Sequence, residues 1–351
     1  MTKMLNIDGK TILVTGGTGS LGQTLVRRLL SGVLGTPKEV RVFSRDEAKQ
    51  HYMRLAFLNR KAATDDIIYE NAQSTLRFRI GDVRNESSLR EAVKGCQLIF
   101  HGAALKQVPS CEYHPSEAVS TNVVGSENLA RAVLGIGESV NVIGISTDKA
   151  CKPVNVMGMT KALQERILLE ANLRTEKARF NCVRYGNVIA SRGSIVPLFA
   201  EQIKRGDRIT VTLPEMTRFL LTLERAVDTV LFAAASDSRG STFIPKVPAA
   251  LIVDVARAMM NGNEIPIEFL GIRPGEKIHE IMVSEEECHR TADVGEYFEI
   301  LSILPELRRN AQCSILQEEY SSRTGNIGIP EIKQLLHSAQ SEIEAFTGAG
   351  S

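Results

Sequence analysis

The stretch STDKA, at residues 146–150, places a hydroxyl, a carboxyl and an amine side by side. Thr147 can hydrogen-bond a substrate oxygen, Asp148 can donate a proton, and Lys149 can accept one when its amine is neutral. We expect burial and a neighbouring cation to lower the pKa of Lys149 from its usual value of about 10.4. Outside a functional context such a pair is more often a surface salt bridge, so the neighbouring segments decide between the two interpretations.

A second amine, Lys161, lies in the segment VNVMGMTKALQE at residues 154–165. A lysine held near a cofactor can hydrogen-bond a ribose hydroxyl and, as a cation, lower the pKa of neighbouring groups. Met157 stands four residues before Lys161, and its thioether neither donates nor accepts a proton at a useful pKa. The most common role of such a methionine is to fill space on the buried face of a helix.

The segment TILVTGGTGSLGQTLVRRLL, at residues 11–30, predicts a strand, a glycine-rich turn and a helix. Gly16 allows a sharp turn, Gly19 lets backbone amides approach a pyrophosphate, and Gly22 lets the helix pack on the strand. Between a strand and a helix, this glycine spacing is a strong indication of a dinucleotide site. We predict that the cofactor contacts Gly16, Thr18, Gly19, Ser20, Leu21 and Gly22.

The end of the second predicted strand, VFSRDEAK, lies where an adenosine ribose would bind. Ser44 and Arg45 suit a 2′-phosphate, which an arginine can hold through two hydrogen bonds, so the sequence favours NADP, and Lys49 is a further predicted cofactor contact. NAD stays open because Asp46 could offer a carboxylate to a 2′-hydroxyl. Further predicted cofactor contacts follow the next strands, namely Asp82, which could accept from the adenine amino group, Val83, Ala103, Ala104, Lys106 and Asn122.

The predicted elements alternate between strands and helices through the first half of the chain. The strands are TILVT (11–15), EVRVFS (39–44), LRFRIGD (76–82), QLIFHGA (97–103), VNVIGIST (140–147) and FNCVRYGN (180–187). This alternation predicts an α/β fold with a Rossmann-type doubly wound parallel sheet. The polar segment 59–75 predicts a longer excursion between the second and third strands.

A change of rhythm near residue 188 suggests two domains. We expect an NADP-binding Rossmann domain at 1–187 and a smaller, mainly substrate-binding region at 188–351, partly interleaved with the first. The helical pattern LERAVDTVLFAAA belongs to the second region. Another amphipathic helix is predicted at 330–346, and Pro330 suits its first turn.

The composition of the 351-residue chain narrows the classes of function. With 43% hydrophobic and 24% charged residues, it can bury a large core. Basic residues (42) nearly equal acidic ones (41) and are scattered, which argues against a nucleic-acid partner. The six cysteines have no CxxC spacing, and the chain has neither a secretory leader nor a membrane-spanning run, which predicts a soluble cytoplasmic protein. The histidines lack ligand spacing, so no metal is expected.

Several motifs together resemble the extended short-chain dehydrogenase/reductase superfamily of nucleotide-sugar enzymes, over about residues 9–310. They are GGTGSLG, GDVR, HGAA, the Asn122 of STNVVGS, and Lys161. The segments FSRDE, ALKQVPSCEYHP, STDKA, YGNV, PEMTRF and RPGEK are similar to those of inverting UDP-N-acetylglucosamine 4,6-dehydratases. MGxxK in place of YGxxK resembles the branch that feeds UDP-N-acetyl-L-fucosamine synthesis for capsule and O-antigen, so Met157 does not indicate an inactive enzyme.

The resemblance implies a lyase that oxidises C4 of UDP-N-acetylglucosamine with NADP, eliminates water across C5 and C6, and returns hydride to C6. A proton then reaches C5 on the opposite face, giving UDP-2-acetamido-2,6-dideoxy-β-L-arabino-hex-4-ulose. By similarity, Asp148 is the acid for the C6 hydroxyl, Lys149 is the base at C5, and Thr147 is the partner of the C4 oxygen. Retaining relatives carry Asp-Glu at this place, so Lys149 favours inversion.

With Met157 in place of tyrosine, another group must take the proton of the C4 hydroxyl. Our hypothesis is that Lys161, or Asp148 through a water, takes it, while Met157 only packs against the sugar or nicotinamide. The resemblance also implies that nucleotide-sugar binding involves Lys106, Asn187, Ser194, Arg218, Arg273 and Glu276, where arginines suit a diphosphate and a carboxylate suits a ribose diol. Related enzymes imply a homo-oligomer, either a dimer or a hexamer.

Two other functions stay open. A nucleotide-sugar 4-epimerase would use the same scaffold but needs no acid for a C6 leaving group, so Asp148 and Lys149 argue against it. A non-catalytic NADP-binding regulator is supported only by Met157.

Overall fold

The computed structural model describes residues 5–58, 65–189, 194–308 and 316–340. Its strands are β1 Thr11–Thr15, β2 Glu39–Ser44, β3 Leu76–Ile80, β4 Leu98–His101, β5 Asn141–Ile145, β6 Arg179–Val183, β7 Ile209–Val211, β8 Thr217–Phe219, β9 Thr242–Pro245, β10 Ala249–Leu251, β11 Ile267–Phe269, β12 Ile281–Val283, β13 Thr291–Asp293, β14 Tyr297–Ile300 and β15 Tyr320–Ser321.

The α-helices are α1 Ser20–Leu30, α2 Glu47–Leu58, α3 Asp65–Thr75, α4 Glu86–Val93, α5 Val108–Tyr113, α6 Pro115–Ala118, α7 Gly125–Ile136, α8 Val156–Glu170, α9 Ile195–Arg205, α10 Leu223–Ala235, α11 Ile252–Met260, α12 Glu285–Cys288 and α13 Ile329–Ser338. A π-helical segment covers Val119–Val124, and short 3₁₀ turns cover Asp148–Ala150, Ala171–Arg174 and Pro305–Leu307. Within these residues, no helix has the length and apolar character needed to cross a membrane.

The central sheet has nine strands in the order β13-β14-β9-β6-β5-β4-β1-β2-β3. Strands β1 to β6 and β9 pair in parallel, and β14 and β13 add antiparallel at one edge. The order reverses beside β1, which lies between β2 and β4. In such a sheet, ligands bind at the carboxyl ends of the strands next to the reversal. The predicted Rossmann-type doubly wound sheet is therefore confirmed.

Helices cover both faces of this sheet, which explains why its central strand β1 is buried along its whole length. All five residues of β1 are buried. Ile12 and Val14 face a core that also contains residues of α1 and α10, whereas Leu13 faces a core built from α4, α7 and α8. Successive residues of a strand point to opposite faces, so a central strand needs apolar side chains on both.

The chain after residue 188 contributes to the central sheet and to a group of small separate sheets. Strands β9, β14 and β13 extend the central sheet, while six short strands form three two-stranded sheets. A separate core, which includes Phe199, Ile209, Val255 and Ile332, joins α9, α11 and α13 to these small sheets. The two-domain division at residues 187 and 188, with partial interleaving, stays a prediction.

The second connection differs from the sequence prediction. Residues 65–75 form helix α3 where a polar excursion was expected, and residues 59–64 lie outside the described residues. Ile68 and Ala72, four residues apart, reach the core beside α1, and the Asn71 amide donates to the carbonyl of Leu30 at 2.8 Å. Apolar contacts at this spacing are typical of an amphipathic helix that lies on a core.

Other boundaries differ by a few residues. Strand β6 ends at Val183, so Asn187 lies in the loop that follows rather than in the predicted strand 180–187. Helix α13 covers the beginning of the predicted helix 330–346, and residues 341–346 lie outside the described residues.

A buried ion-pair network joins the end of β6 to α8 and α12. The guanidinium of Arg184, 3% exposed, contacts Glu165 and Glu287 at 2.8 Å each and donates to the carbonyl of Met282 at 2.7 Å. Glu165 also accepts from Ser146, one residue before the predicted catalytic group. Burial is the largest influence and would raise the pKa of Glu287, but the charges of Arg184 and Arg290, together with hydrogen bonds from Arg184 and Ser284, outweigh it and hold that pKa at about 2. The network fixes the loop after β5 against α8.

We predict that Arg184→Met lowers the free energy of unfolding by about 3–5 kcal/mol, because two buried carboxylates lose their cation. Chemical denaturation at pH 7 measures this loss. The folded-state pKa of Glu287, about 2, lies below its ordinary value of 4.5, so its contribution is complete above pH 4.5 and is lost as the pH falls through 2. Arg184→Met should therefore also weaken the dependence of stability on acid.

The matched control is Arg174→Met, which removes an exposed arginine paired with Glu170 and Glu127. Its cost should not exceed about 1 kcal/mol. Equal losses in the two variants would contradict a stabilising role for the buried network.

Candidate active site

The turn between β1 and α1 lies against the end of β4. Gly16 has φ +68°, and a Cβ at this position would lie 2.8 Å from the backbone of Gly102. A Cβ at Gly22 would lie 2.5 Å from the Cα of Gly17. Gly19 begins α1 without a side-chain cap, so first-turn amides are available to an anion. This close turn and uncapped helix end fit a pyrophosphate.

A cleft of about 580 Å³ extends from this turn to the C-terminal part of the chain. It brings together sixteen of the predicted site residues, namely Gly16, Gly19, Ser20, Leu21, Gly22, Ala104, Lys106, Thr147, Lys149, Met157, Lys161, Asn187, Ser194, Arg218, Arg273 and Glu276. The lining carries six basic side chains (Lys106, Lys149, Lys161, Arg218, Arg273, Lys277) and two acidic ones (Glu276, Glu280). This excess of positive charge suits an anionic ligand.

The other predicted residues lie outside the cleft lining; they are Thr18, Ser44, Arg45, Lys49, Asp82, Val83, Ala103, Asn122 and Asp148. Three of them form a group at the ends of β2 and β3. The half-exposed guanidinium of Arg45 lies 3.6 Å from Asp82, which also pairs with Arg84 at 2.6 Å. The hydroxyl of Ser44 accepts from Gln50 at 3.2 Å. Asp82 is thus engaged by arginines, which makes it less available to an adenine amino group than predicted.

Asn122 positions the loop after β4 from the π-helical segment. Its amide oxygen accepts from the Leu105 amide at 2.8 Å, and its amide nitrogen donates to the Leu105 carbonyl and to Thr160, each at 3.0 Å. These bonds fix the backbone next to Lys106 and join it to α8. Asn122 is therefore buried behind the cleft, where it can act on a cofactor only through this loop.

The predicted acid and base lie at the end of β5, in the 3₁₀ turn Asp148–Ala150. Asp148 is completely buried, and its Oδ1 accepts from the Thr147 hydroxyl at 2.7 Å and from Lys149 Nζ at 3.2 Å. Asn187 Oδ1 accepts from the same amine at 3.2 Å. Because the Thr147 hydroxyl donates to Asp148, it is left with its lone pairs, which could accept from a C4 hydroxyl.

The pKa of Lys149 differs from the sequence prediction. Burial lowers it, but the negative charges of Asp148 and Glu280 outweigh burial, and the net shift is upward. The prediction of a lowered pKa was wrong because it considered burial and a neighbouring cation, whereas two carboxylates adjoin the amine. Sequence reasoning missed Glu280, whose only signal was its place three residues after the RPGEK segment.

Lys161 has the shift that was expected of Lys149. It is 4% exposed, and its amine donates to the Ile145 carbonyl at 2.5 Å and to Gln164 at 2.6 Å. Burial lowers the pKa of Lys161 to about 8. His101, buried next to Thr15 and Ser126, has a pKa lowered to about 3 by burial and by the charge of Lys161, so it stays neutral.

Met157 lies in the first turn of α8 and packs against Cys111 and Ala118, with 6% of its surface exposed. It also forms part of the cleft wall. The next residue, Gly158, contacts the 3₁₀ turn Asp148–Ala150 so closely that a Cβ would lie 2.2 Å from the carbonyl oxygen of Lys149. Met157 is thus held at a fixed place beside the turn, and its environment is that of a packing residue.

The predicted substrate residues come from the far side of the cleft. Glu276 accepts from Thr212 at 3.4 Å, and the hydroxyl of Ser194 donates to the Ile189 carbonyl at 3.0 Å. Arg218 is buried in β8, where it donates to the carbonyls of Thr217 and Ile278. Across the described ranges, no group of three potential metal ligands comes together.

Comparison with known proteins places the chain in a family. A family profile described as "Polysaccharide biosynthesis protein" matches residues 12–302. A protein of Rickettsia rickettsii (strain Sheila Smith) named UDP-glucose 4-epimerase is 42% identical over 339 residues, covering 93% of this chain and 95% of the relative. Its namesake in Rickettsia bellii (strain RML369-C) is 42% identical over 340 residues with the same coverage.

Solved structures agree on the fold. The X-ray structure of Pen from Bacillus thuringiensis is 33% identical, with a TM-score of 0.84 over 95% of this chain and 99% of that chain. DesIV, a dTDP-glucose 4,6-dehydratase from Streptomyces venezuelae, is 20% identical, with a TM-score of 0.64 over 76% of this chain and 86% of that one. The chain thus belongs to the polysaccharide biosynthesis protein family and has the extended short-chain dehydrogenase fold found in nucleotide-sugar epimerases and dehydratases.

Proposed function

We propose that this protein is an NADP-dependent, C5-inverting UDP-N-acetylglucosamine 4,6-dehydratase that serves polysaccharide synthesis. The observation that carries the proposal is the buried Asp148 beside Lys149, at the carboxyl end of β5 and next to the cleft. A carboxyl and an amine held together beside a nucleotide-sugar cleft match an elimination, which needs an acid for the leaving hydroxyl and a base for the neighbouring carbon.

The turn at Gly16 and the first turn of α1 would hold the pyrophosphate of the cofactor. Ser44 and Arg45 would hold a 2′-phosphate. To bind it, Arg45 would release its long contact with Asp82. A structural neighbour of 20% identity is described with NAD bound, so NAD is the competing cofactor. When bound, the nicotinamide supplies hydride acceptance from C4 and hydride return to C6.

The resting charge of the base is opposite to the one that the elimination needs, because the raised pKa keeps Lys149 an ammonium. One proton passing over 3.2 Å, from Nζ of Lys149 to Oδ1 of Asp148, gives a carboxylic acid and a free amine without changing the net charge. The amine then takes the C5 proton, and the acid protonates the departing C6 hydroxyl.

We propose Lys161 as the base that takes the proton of the C4 hydroxyl. Its pKa of about 8 leaves a useful fraction of free amine near neutral pH. Met157, packed against Cys111 and Ala118, would then only form part of the cleft wall.

We infer that region 188–351, together with Lys106 and Asn187, binds the nucleotide sugar. The lining residues Ser194, Arg218, Arg273 and Glu276 support this. Partly exposed apolar residues on α8 and the π-helical segment, namely Val119, Val124, Met159 and Leu163, support the inference of a homo-oligomer.

A UDP-glucose 4-epimerase is the second candidate, because relatives that are 42% identical bear that name. The same C4 chemistry would serve it, with rotation of the ketone in place of elimination. Asp148 and Lys149 would then have no leaving group to assist.

The first prediction from the proposed function concerns the reaction product. Incubated with NADP and UDP-N-acetylglucosamine in deuterated water, the protein should release a 4-keto sugar that is lighter by one water and carries deuterium at C5. Mass spectrometry and proton NMR measure both properties. An isomer of unchanged mass, from this sugar or from UDP-glucose, would identify a 4-epimerase, and unaltered sugars with tightly bound NADP would identify a regulator.

The second prediction concerns the C4 base. Lys161→Met should slow C4 oxidation, followed as nicotinamide reduction, by about 10²–10⁴-fold, whereas Met157→Leu should keep it within about tenfold. In the wild type the rate should rise through pH 8, because the amine of Lys161 is neutral above its pKa. Full C4 oxidation by a folded Lys161→Met would show the assignment to be wrong.

The third prediction concerns the cofactor. Arg45→Asp should weaken NADP relative to NAD by about ten- to a hundredfold, because charge-assisted bonds to the 2′-phosphate are lost. Titration with each cofactor measures this ratio. The control is Arg54→Ala, an exposed arginine of α2. An unchanged ratio in Arg45→Asp would indicate that Arg45 is an ordinary solvated charge.

A further inference from the structure

Glu280 is a buried carboxylate next to the catalytic turn that neither the sequence analysis nor the proposed mechanism uses. It is 3% exposed and lines the cleft. Its Oε1 lies 3.7 Å from Lys149 Nζ and 3.7 Å from Arg218 Nε. Its Oε2 is buried and has no hydrogen-bond partner among the described residues. A buried carboxylate is costly unless cations adjoin it, and here Lys149 and Arg218 are those cations.

The backbone holds this carboxylate in a fixed position. The Ser322 amide donates to the Glu280 carbonyl at 2.8 Å, and the Glu280 amide donates to the Ser322 hydroxyl at 2.9 Å. Glu280 directly precedes β12, which pairs with β15. Lys149 belongs to the turn after β5, so the carboxylate reaches the amine from a different part of the chain.

Three oxygens surround the amine of Lys149, as many as an ammonium has protons. Asp148 and Asn187 accept at 3.2 Å, and Glu280 is the most distant of the three. Two other cations belong to the same cleft lining. Arg218 has a positive charge that disfavours the ammonium form of Lys149, and Lys161 extends into the cleft from α8. Of the two carboxylates, Asp148 is the proposed acid, so only Glu280 can act on Lys149 without taking part in the elimination.

We propose that Glu280 is a positioning residue for the base: its charge orients the Lys149 amine and sets the pH above which that amine is free. This inference rests on the proposed function for its role in turnover, but the coupling of the two side chains does not. With Glu280 charged, the ammonium is favoured at rest, and the amine becomes available when its proton moves to Asp148. Without that charge, the free amine forms at lower pH.

The test measures the charge of Lys149 directly. Trace reductive methylation of the full-length protein across a range of pH, followed by peptide mass spectrometry, gives the pH at which the Lys149 amine becomes reactive. Glu280→Gln should lower this midpoint by about 1–3 pH units, because one opposite charge is lost. Glu280→Asp, which keeps the charge, should restore most of the shift, and Glu285→Gln, at an exposed site beside Lys152, should leave the midpoint unchanged.

The same shift should occur in the pH profile of deuterium uptake at C5 of the product. An unchanged Lys149 midpoint in Glu280→Gln, or equal shifts in the Gln and Asp variants, would overturn the inference whatever the product is. A shifted midpoint together with no dehydrated product from the wild type would confirm the coupling and overturn the proposed function. The two failures are therefore distinguishable.

Discussion

Parallel pairing from β1 to β6 directs the carboxyl end of every one of these strands to the same edge of the sheet. The glycine turn after β1, the catalytic turn after β5 and the loop after β6 with Asn187 all begin at this edge. Three segments that are far apart in sequence thereby meet in one cleft. The C-terminal part of the chain closes it from the opposite side with Arg273 and Glu280.

Two lysines in this cleft have opposite pKa shifts, and the reason lies in their neighbours. Lys161 is surrounded by neutral acceptors, a carbonyl and an amide, so burial dominates and its pKa falls. Lys149 lies between two carboxylates, whose charges outweigh burial and raise its pKa. The site therefore contains one amine that loses its proton readily and one that retains it until a partner accepts it. A reaction that moves protons at two adjacent carbon centres benefits from two amines that differ in pKa.

The sequence predicted those features that depend on local patterns. Strands β1 and β2 have the predicted bounds, because both are short segments rich in β-branched and aromatic residues between turn or loop segments. Helix α3 was missed because its sequence is mostly polar, and the packing of Ile68 and Ala72 against the core beside α1 is not part of a local pattern. The pKa of Lys149 and the role of Glu280 depend on a contact between residues 149 and 280, and no local pattern contains it. The buried pairing of Arg184 with Glu165 and Glu287 is hidden for the same reason.

Gly158 joins the first turn of α8 to the backbone of Lys149 with no room for a side chain. The first turn of α8 and the 3₁₀ turn Asp148–Ala150 are therefore in direct backbone contact. The outer side of α8 carries the exposed Met159 and Leu163. Whatever packs on that outer side lies on the helix that contacts the turn of Lys149 through Gly158 and the residue Ser146 through Glu165, so subunit assembly and the geometry of the cleft need not be independent.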